Sequence, residues 1–122
     1  MTLKFGSDIV YIPKFEKTLR ASREYFSQHV FLPEELEYAR VQRLAAIFAA
    51  KEATIKALGL KAGQWQEIHV AYQESGKPYL AKFPQPRKIG KKPFDKAQGK
   101  WKHELSISHD GDYAIANVIF YL

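Results

Sequence analysis

Apolar positions along the chain change their spacing twice, and the changes predict its elements. Leu3 to Ile12 is rich in β-branched and aromatic residues and stops at Pro13, a residue suited to the first turn of a helix. From Pro13 to about Phe26 the apolar positions Phe15, Leu19 and Tyr25/Phe26 recur at near-helical spacing. Pro33, with Glu34 and Glu35 behind it, reads as a further helix start, its acids at the positive end of the dipole. Val41 to Leu58 is a long, Ala-rich helix that Gly59 ends as a left-handed cap. From Trp65 the period becomes two. Trp65–Tyr72 and Tyr79–Phe83 read as strands around a Ser75-Gly76-Lys77-Pro78 turn, and Asp110-Gly111 joins His103–His109 to Tyr113–Leu122 as a hairpin. This order predicts an α+β fold, a single domain over residues 1–122 with an N-terminal strand and helices packed on a mainly antiparallel sheet.

Composition narrows the classes. With 122 residues, 46% hydrophobic and 26% charged, the chain holds one core and is neither disordered nor collagen-like. The absence of cysteine excludes disulfides, a thiol nucleophile and Cys-ligated zinc. Met1 to Asp8 lacks a basic-then-apolar leader, and no apolar run approaches the roughly 18 residues of a membrane span, so a soluble cytoplasmic protein is expected. The net charge of +6 is concentrated between Lys82 and His103, where eight basic residues face one acid, Asp95, while the other positions nearly balance. Pro84, Pro86, Pro93, Gly90 and Gly99 mark that stretch, about 84–102, as a basic loop or insertion between strands. It reads as a solvated excursion rather than a nucleic-acid arm, and Trp101 as the start of the next strand rather than a base-stacking platform.

Within the long helix one residue stands out. At about 100° per residue, Val41, Leu44, Ala45, Phe48, Ile55 and Leu58 form the apolar stripe, and Glu52 falls inside its arc. A carboxylate there must be paired, hydrogen-bonded or bound to a cation. Lys56, one turn on, is a possible partner at i+4, and a functional site is the alternative. Asp8, interrupting an apolar β-type run, is the candidate second acid, against the plainer reading of a solvated or turn-capping Asp. Two carboxylates from a strand and a helix suit Mg²⁺, which keeps waters and takes phosphate oxygens. Other chemistries lack their motifs: there is no GxSxG elbow, no HExxH pair and no Walker loop, since Pro78 follows Gly76-Lys77 and position 71 is Ala71. Of the four histidines only His109 lies in a polar cluster, Ser106-Ile107-Ser108-His109-Asp110, fit either to hold phosphate or to make a turn.

Taken in order, Gly6-Ser7-Asp8-Ile9-Val10, Phe48-Ala49-Ala50-Lys51-Glu52-Ala53 with Lys56-Ala57-Leu58-Gly59, Ser75-Gly76-Lys77-Pro78-Tyr79 and Leu105-Ser106-Ile107-Ser108-His109 span nearly the whole chain. The set resembles the holo-[acyl-carrier-protein] synthases, the small type of the 4′-phosphopantetheinyl transferase superfamily. The resemblance implies transfer of 4′-phosphopantetheine from coenzyme A to a serine of an apo acyl carrier protein, with release of adenosine 3′,5′-bisphosphate. It implies that Asp8 and Glu52 hold Mg²⁺, that Lys56 lies by the diphosphate, and that Glu52 serves as base, directly or through a water. Gly59, Gly76, Lys77, Pro78, Ser108 and His109 are implied as coenzyme A contacts. A homotrimer with shared active sites is implied by size, and docking of the acidic carrier on Lys14, Lys17, Arg20 and Arg23 by charge.

Three departures qualify the match. Lys14 stands where the family usually has arginine, Ile47 where a basic residue is common, and the link Leu60–Gln64 is shorter than the family's glycine-rich one. A non-catalytic relative binding coenzyme A or carrier protein, and a basic nucleic-acid-binding module, are the competing readings. The joint presence of Asp8, Glu52 and Lys56 favours the enzyme.

Overall fold

The computed structural model describes residues 1–38, 40–85, 88–89, 92–93 and 100–122. Strand β1 (Leu3–Tyr11) leads into helices α1 (Ile12–Ala21), α2 (Arg23–His29), α3 (Pro33–Leu36) and α4 (Val41–Leu58). A 3-10 turn (Trp65–Glu67) precedes β2 (His69–Tyr72) and β3 (Pro78–Lys82). The short strands β4 (Lys88–Ile89) and β5 (Lys92–Pro93) follow, then β6 (Lys102–Asp110) and β7 (Tyr113–Tyr121). Every described strand pairing is antiparallel, and the main sheet has the order β1-β7-β6. The α+β expectation holds. Among the described residues, no helix is long and apolar enough to cross a membrane.

Three expected boundaries move. The helix expected from Pro13 to Phe26 is broken at Ser22 (φ −136°, ψ 41°), whose N–H still bonds the Thr18 and Leu19 carbonyls. The break lets Phe15 and Phe26 meet edge-on at 5.8 Å and both approach Phe48. The strand expected from Trp65 begins only at His69, because Trp65–Glu67 turns as a 3-10 helix. In the basic segment, β4 and β5 form a two-residue ladder where a loop was expected; positions 86–87, 90–91 and 94–99 lie outside the described residues.

Helix α4 sits on the sheet and is buried nearly all round. Val41, Phe48 and Leu58, expected in its core stripe, are only partly buried, whereas Ala46, Ile47, Ala49, Ala50, Lys51, Ala53 and Thr54 are fully enclosed. The reason is that α1, α3 and the 3-10 turn cover the sides the sheet leaves open. Alanines let the backbones approach, most closely at Gly6 of β1, where an added Cβ would lie 1.9 Å from the Ala53 carbonyl oxygen. Alternation along β1 then puts Gly6, Asp8 and Val10 toward α4. It leaves Leu3, Phe5, Ile9 and Tyr11 on the outer face, 45–64% exposed.

Candidate functional site

The Gly6 contact fixes what lies two residues along the strand. Asp8 emerges on the α4 side, where its Oδ1 accepts a hydrogen bond from Lys56 Nζ at 2.9 Å. The same ammonium donates to the Ser7 carbonyl at 3.1 Å. Asp8 is largely enclosed, with 17% of its side chain exposed, while Lys56 is 57% exposed, so the pair opens to solvent through the lysine. The Glu52–Lys56 pairing considered from the helix alone is therefore not the one Lys56 makes. Two acceptors on β1 satisfy the ammonium instead, because the close crossing at Gly6 brings the strand under the last turns of the helix. Glu52, one turn earlier and partly buried, has its Oε1 within 3.4 Å of the Trp65 indole N–H.

Beside Glu52 lies a charged pair that pattern reading missed. Lys51 and Glu35 are both 0% exposed, with Nζ and Oε1 at 2.6 Å. Lys51 also donates to the carbonyls of Val30 (2.7 Å) and Trp65 (3.0 Å). Glu35 accepts the backbone N–H of Leu32 at 2.8 Å and of Val70 at 2.9 Å. Burial holds the Lys51 ammonium below the usual lysine range, opposed by the adjacent Glu35 charge. A buried ion pair persists only with its remaining donors and acceptors satisfied, as here. A signal existed: by the projection that singled out Glu52, Lys51 lies about 60° to the other side of Phe48, inside the same arc.

The remaining candidates gather elsewhere. Gly76 (φ 89°) shapes the turn closed by the Gln73 N–H to Lys77 carbonyl bond of 2.9 Å, and Pro78 opens β3. Lys77 Nζ meets Glu104 Oε2 of β6 at 3.1 Å, across a partly open pair. The Leu80 N–H donates to His103 Nε2 at 2.9 Å, tying this ribbon to β6. Burial keeps the His103 imidazole below its usual range, with Glu104 raising and Lys77 lowering it further. Lys77, Pro78, Ser106, Asn117 and Phe5 line a shallow depression of about 470 Å³ on the outer sheet face. Ser108 and His109, imagined as one cluster, project to opposite faces of β6 by strand alternation. His109 Nε2 lies 3.3 Å from the Gln42 carbonyl at the start of α4. Gly59 (φ 64°) caps α4, with the Leu60 N–H on the Ile55 carbonyl at 3.0 Å. Thus one chain pairs Asp8 with Lys56 at the β1 edge, with Glu52 one turn earlier on α4 and in contact with Trp65. The Gly76 turn sits by β6, with β7 between the two groups.

Among the described residues, no three His, Asp or Glu side chains converge on a metal-binding geometry. A cation held by Asp8 and Glu52 would draw the rest of its shell from water and phosphate, the habit of Mg²⁺. The donor set fits that ion. On α1 and α2, Lys14, Lys17, Arg20 and Arg23 are exposed, and Arg20 is paired with Glu16 at 2.5 Å. Arg20 and Arg23 border a groove of about 680 Å³ floored by Leu19, Phe26, Leu36 and Leu44.

Residues 4–118 match the model of the 4′-phosphopantetheinyl transferase superfamily. A holo-[acyl-carrier-protein] synthase of Trichlorobacter lovleyi is 39% identical over 127 aligned residues, covering 98% of this chain and 97% of its own. The ACPS–CoA complex of Chronobacterium ammoniagenes superposes with a TM-score of 0.75 at 29% identity, covering 98% and 97% of the two chains. The Helicobacter pylori holo-[acyl-carrier-protein] synthase in complex with coenzyme A gives a TM-score of 0.74 at 26% identity, covering 96% and 99%.

Proposed function

Because the chain belongs to the 4′-phosphopantetheinyl transferase superfamily, alongside the holo-[acyl-carrier-protein] synthases, we propose that it transfers 4′-phosphopantetheine from coenzyme A to a serine of an acidic acyl carrier protein, releasing adenosine 3′,5′-bisphosphate. The observation that carries this reading is the open Asp8–Lys56 pair, with Glu52 one turn away, in a fold matched over 98% of its length. In the reaction the serine oxygen bonds to the β-phosphorus, the bond from that phosphorus to the bridging oxygen breaks, and the nucleotide leaves with the electron pair. Glu52 takes the serine proton. Lys56, with its ammonium in solvent reach, offsets the charge growing on the departing phosphate. Asp8 and Glu52 would hold Mg²⁺, which would supply electrostatic stabilisation of the diphosphate. Asp8 also holds Lys56 in register until substrate arrives. Gly59, the turn Gly76-Lys77-Pro78, Ser108 and His109 contact the rest of coenzyme A in this reading.

The same geometry supports a shared-site assembly. Asp8 lies on edge strand β1 and the Gly76 turn beside the opposite edge strand β6, the two strands standing roughly 10 Å apart across two strand spacings. A neighbouring copy presenting its β6 side to β1 completes the site. The exposed Leu3, Phe5, Ile9, Tyr11 and Tyr113 support a homotrimer with shared active sites, because they form one apolar face on β1 and β7. Lys14, Lys17, Arg20 and Arg23 form the carrier's docking face by charge complementarity. The reaction belongs to fatty acid biosynthesis in the cytoplasm, and the basic segment 84–102 is an insertion in this single domain.

Intact-mass analysis tests the reading. An apo acyl carrier protein incubated with the chain, coenzyme A and Mg²⁺ gains one phosphopantetheine unit, and the gain disappears with Glu52→Ala or a chelator. A folded sample that modifies none of several carrier proteins overturns it.

A further inference from the structure

We propose that Trp65 is a positioning residue for Glu52: its indole N–H holds the carboxylate in place, while Lys51 holds Trp65 itself. This rests on Glu52 as a ligand of Mg²⁺ and substrate, and adds a residue that sequence patterning assigned only to a strand. Two consecutive residues of α4 grip the two ends of one tryptophan. Lys51 Nζ donates to the Trp65 carbonyl at 3.0 Å, and Trp65 Nε1 lies 3.4 Å from Glu52 Oε1. The indole also packs on Phe48, one turn before Glu52, with ring centroids 6.2 Å apart.

These contacts make the donor a fixed one. The Trp65 backbone hangs on a lysine that is itself held by Glu35 and the Val30 carbonyl, so the 3-10 turn moves with the turn of α4 that carries Glu52. A tryptophan has only two side-chain torsions, and packing on Phe48 restrains them. Glutamate has three, and binding a cation freezes them at an entropic cost. A donor that selects one carboxylate position beforehand removes part of that cost. The N–H occupies Oε1 and leaves Oε2 for the cation. The contact is long in the free protein, as polar contacts at active sites often are before substrate tightens them. A role in packing alone makes a different prediction, namely lost stability with an unchanged response to Mg²⁺.

Trp65→Phe separates the two roles, since it keeps a ring against Phe48 and the carbonyl for Lys51 and deletes only the N–H. Both chains, saturated with coenzyme A, are titrated with Mg²⁺ by calorimetry, and transfer rates are measured across the same concentrations. The half-saturating Mg²⁺ concentration rises about tenfold, the low end of what partners of metal-binding residues contribute. Transfer falls most at low Mg²⁺ and recovers in part as Mg²⁺ approaches saturation, and the loss that remains at saturation reports Glu52 out of place as the base. An unchanged Mg²⁺ dependence overturns the proposal, whatever happens to the melting temperature. Should Trp65→Phe fail to fold, Trp101→Phe leaves Trp65 as the sole tryptophan. Its emission then shifts as Mg²⁺ binds the coenzyme A complex, and flat emission overturns the proposal. If wild type binds coenzyme A with no response to Mg²⁺, the metal reading of Glu52 fails and the proposal falls with it. A normal wild-type response with no change in the variant sinks the proposal alone.

Discussion

Lys51 and Lys56 stand five residues apart on α4, and each is paired with a carboxylate from another element, Glu35 and Asp8. The first pair is sealed, and backbone groups take up what the two side chains do not give each other. The second is open, with more than half of Lys56 in solvent. Similar chemistry on one helix serves opposite ends. A sealed ion pair with every hydrogen bond spent is a fastener, because no ligand reaches it and exchanging its partners would strand a charge. An open one contributes little to stability and remains available to a phosphate.

The strongest way to break that contrast is to remove the sealed cation. Lys51→Met leaves Glu35 buried without its partner and destabilises by about 3–5 kcal/mol. Thermal denaturation then registers a fall in melting temperature of roughly 10–20 °C. Lys56→Gln reverses the balance: stability changes by less than about 1 kcal/mol, while carrier modification by mass spectrometry slows about 100-fold. Gly6→Ala acts on both counts. Its methyl group must displace the Ala53 carbonyl or β1 itself, costing about 1–3 kcal/mol. The displacement carries Asp8 away from Lys56, so transfer falls as well.

The smallest effect belongs to His103, which is partly buried and bonded as a neutral acceptor to the Leu80 N–H. Burial lowers its folded-state affinity for a proton below that of the unfolded chain. The unfolded state therefore binds more protons in the window just below the ordinary histidine value. The associated stability is present above about pH 6.5 and is lost as the pH falls toward the lowered value. Melting temperatures measured between pH 7.5 and 5 should decline, and His103→Gln should flatten that part of the decline.

Much of this architecture is legible in one sequence. The limits of α4 and the pairing of the two long C-terminal strands follow from periodicity, Gly59 and the Asp110-Gly111 turn. Asp8 and Glu52 stand out as candidates because each is a charge where the pattern favours an apolar side chain. What stayed hidden depends on distant neighbours. The depth of α4 was underestimated because alanine fits a surface helix as readily as one enclosed on all sides. Glu35 looks like an ordinary acid at a helix start until Lys51, 16 positions away, is folded against it. Trp65 has the composition of a strand residue, and the turn it begins is tied down by distant groups, among them Lys51 on its carbonyl. The choice of Lys56 between Glu52 and Asp8 required the crossing of strand and helix at Gly6.

Strand β1 carries two sets of residues in strict alternation. Gly6 and Asp8 face the helix, while Phe5, Ser7 and Ile9 face outward, with Ser7 Oγ bonded to Asn117 on β7. Inserting or deleting a single residue between Leu3 and Asp8 would exchange the two sets for part of the strand, pressing Phe5 against the alanines of α4 or turning Asp8 out of reach of Lys56. Point substitutions can tune either face independently, but the length of this segment is locked. Lineages of this protein are expected to vary β1 by replacement and to gain or lose residues in their loops.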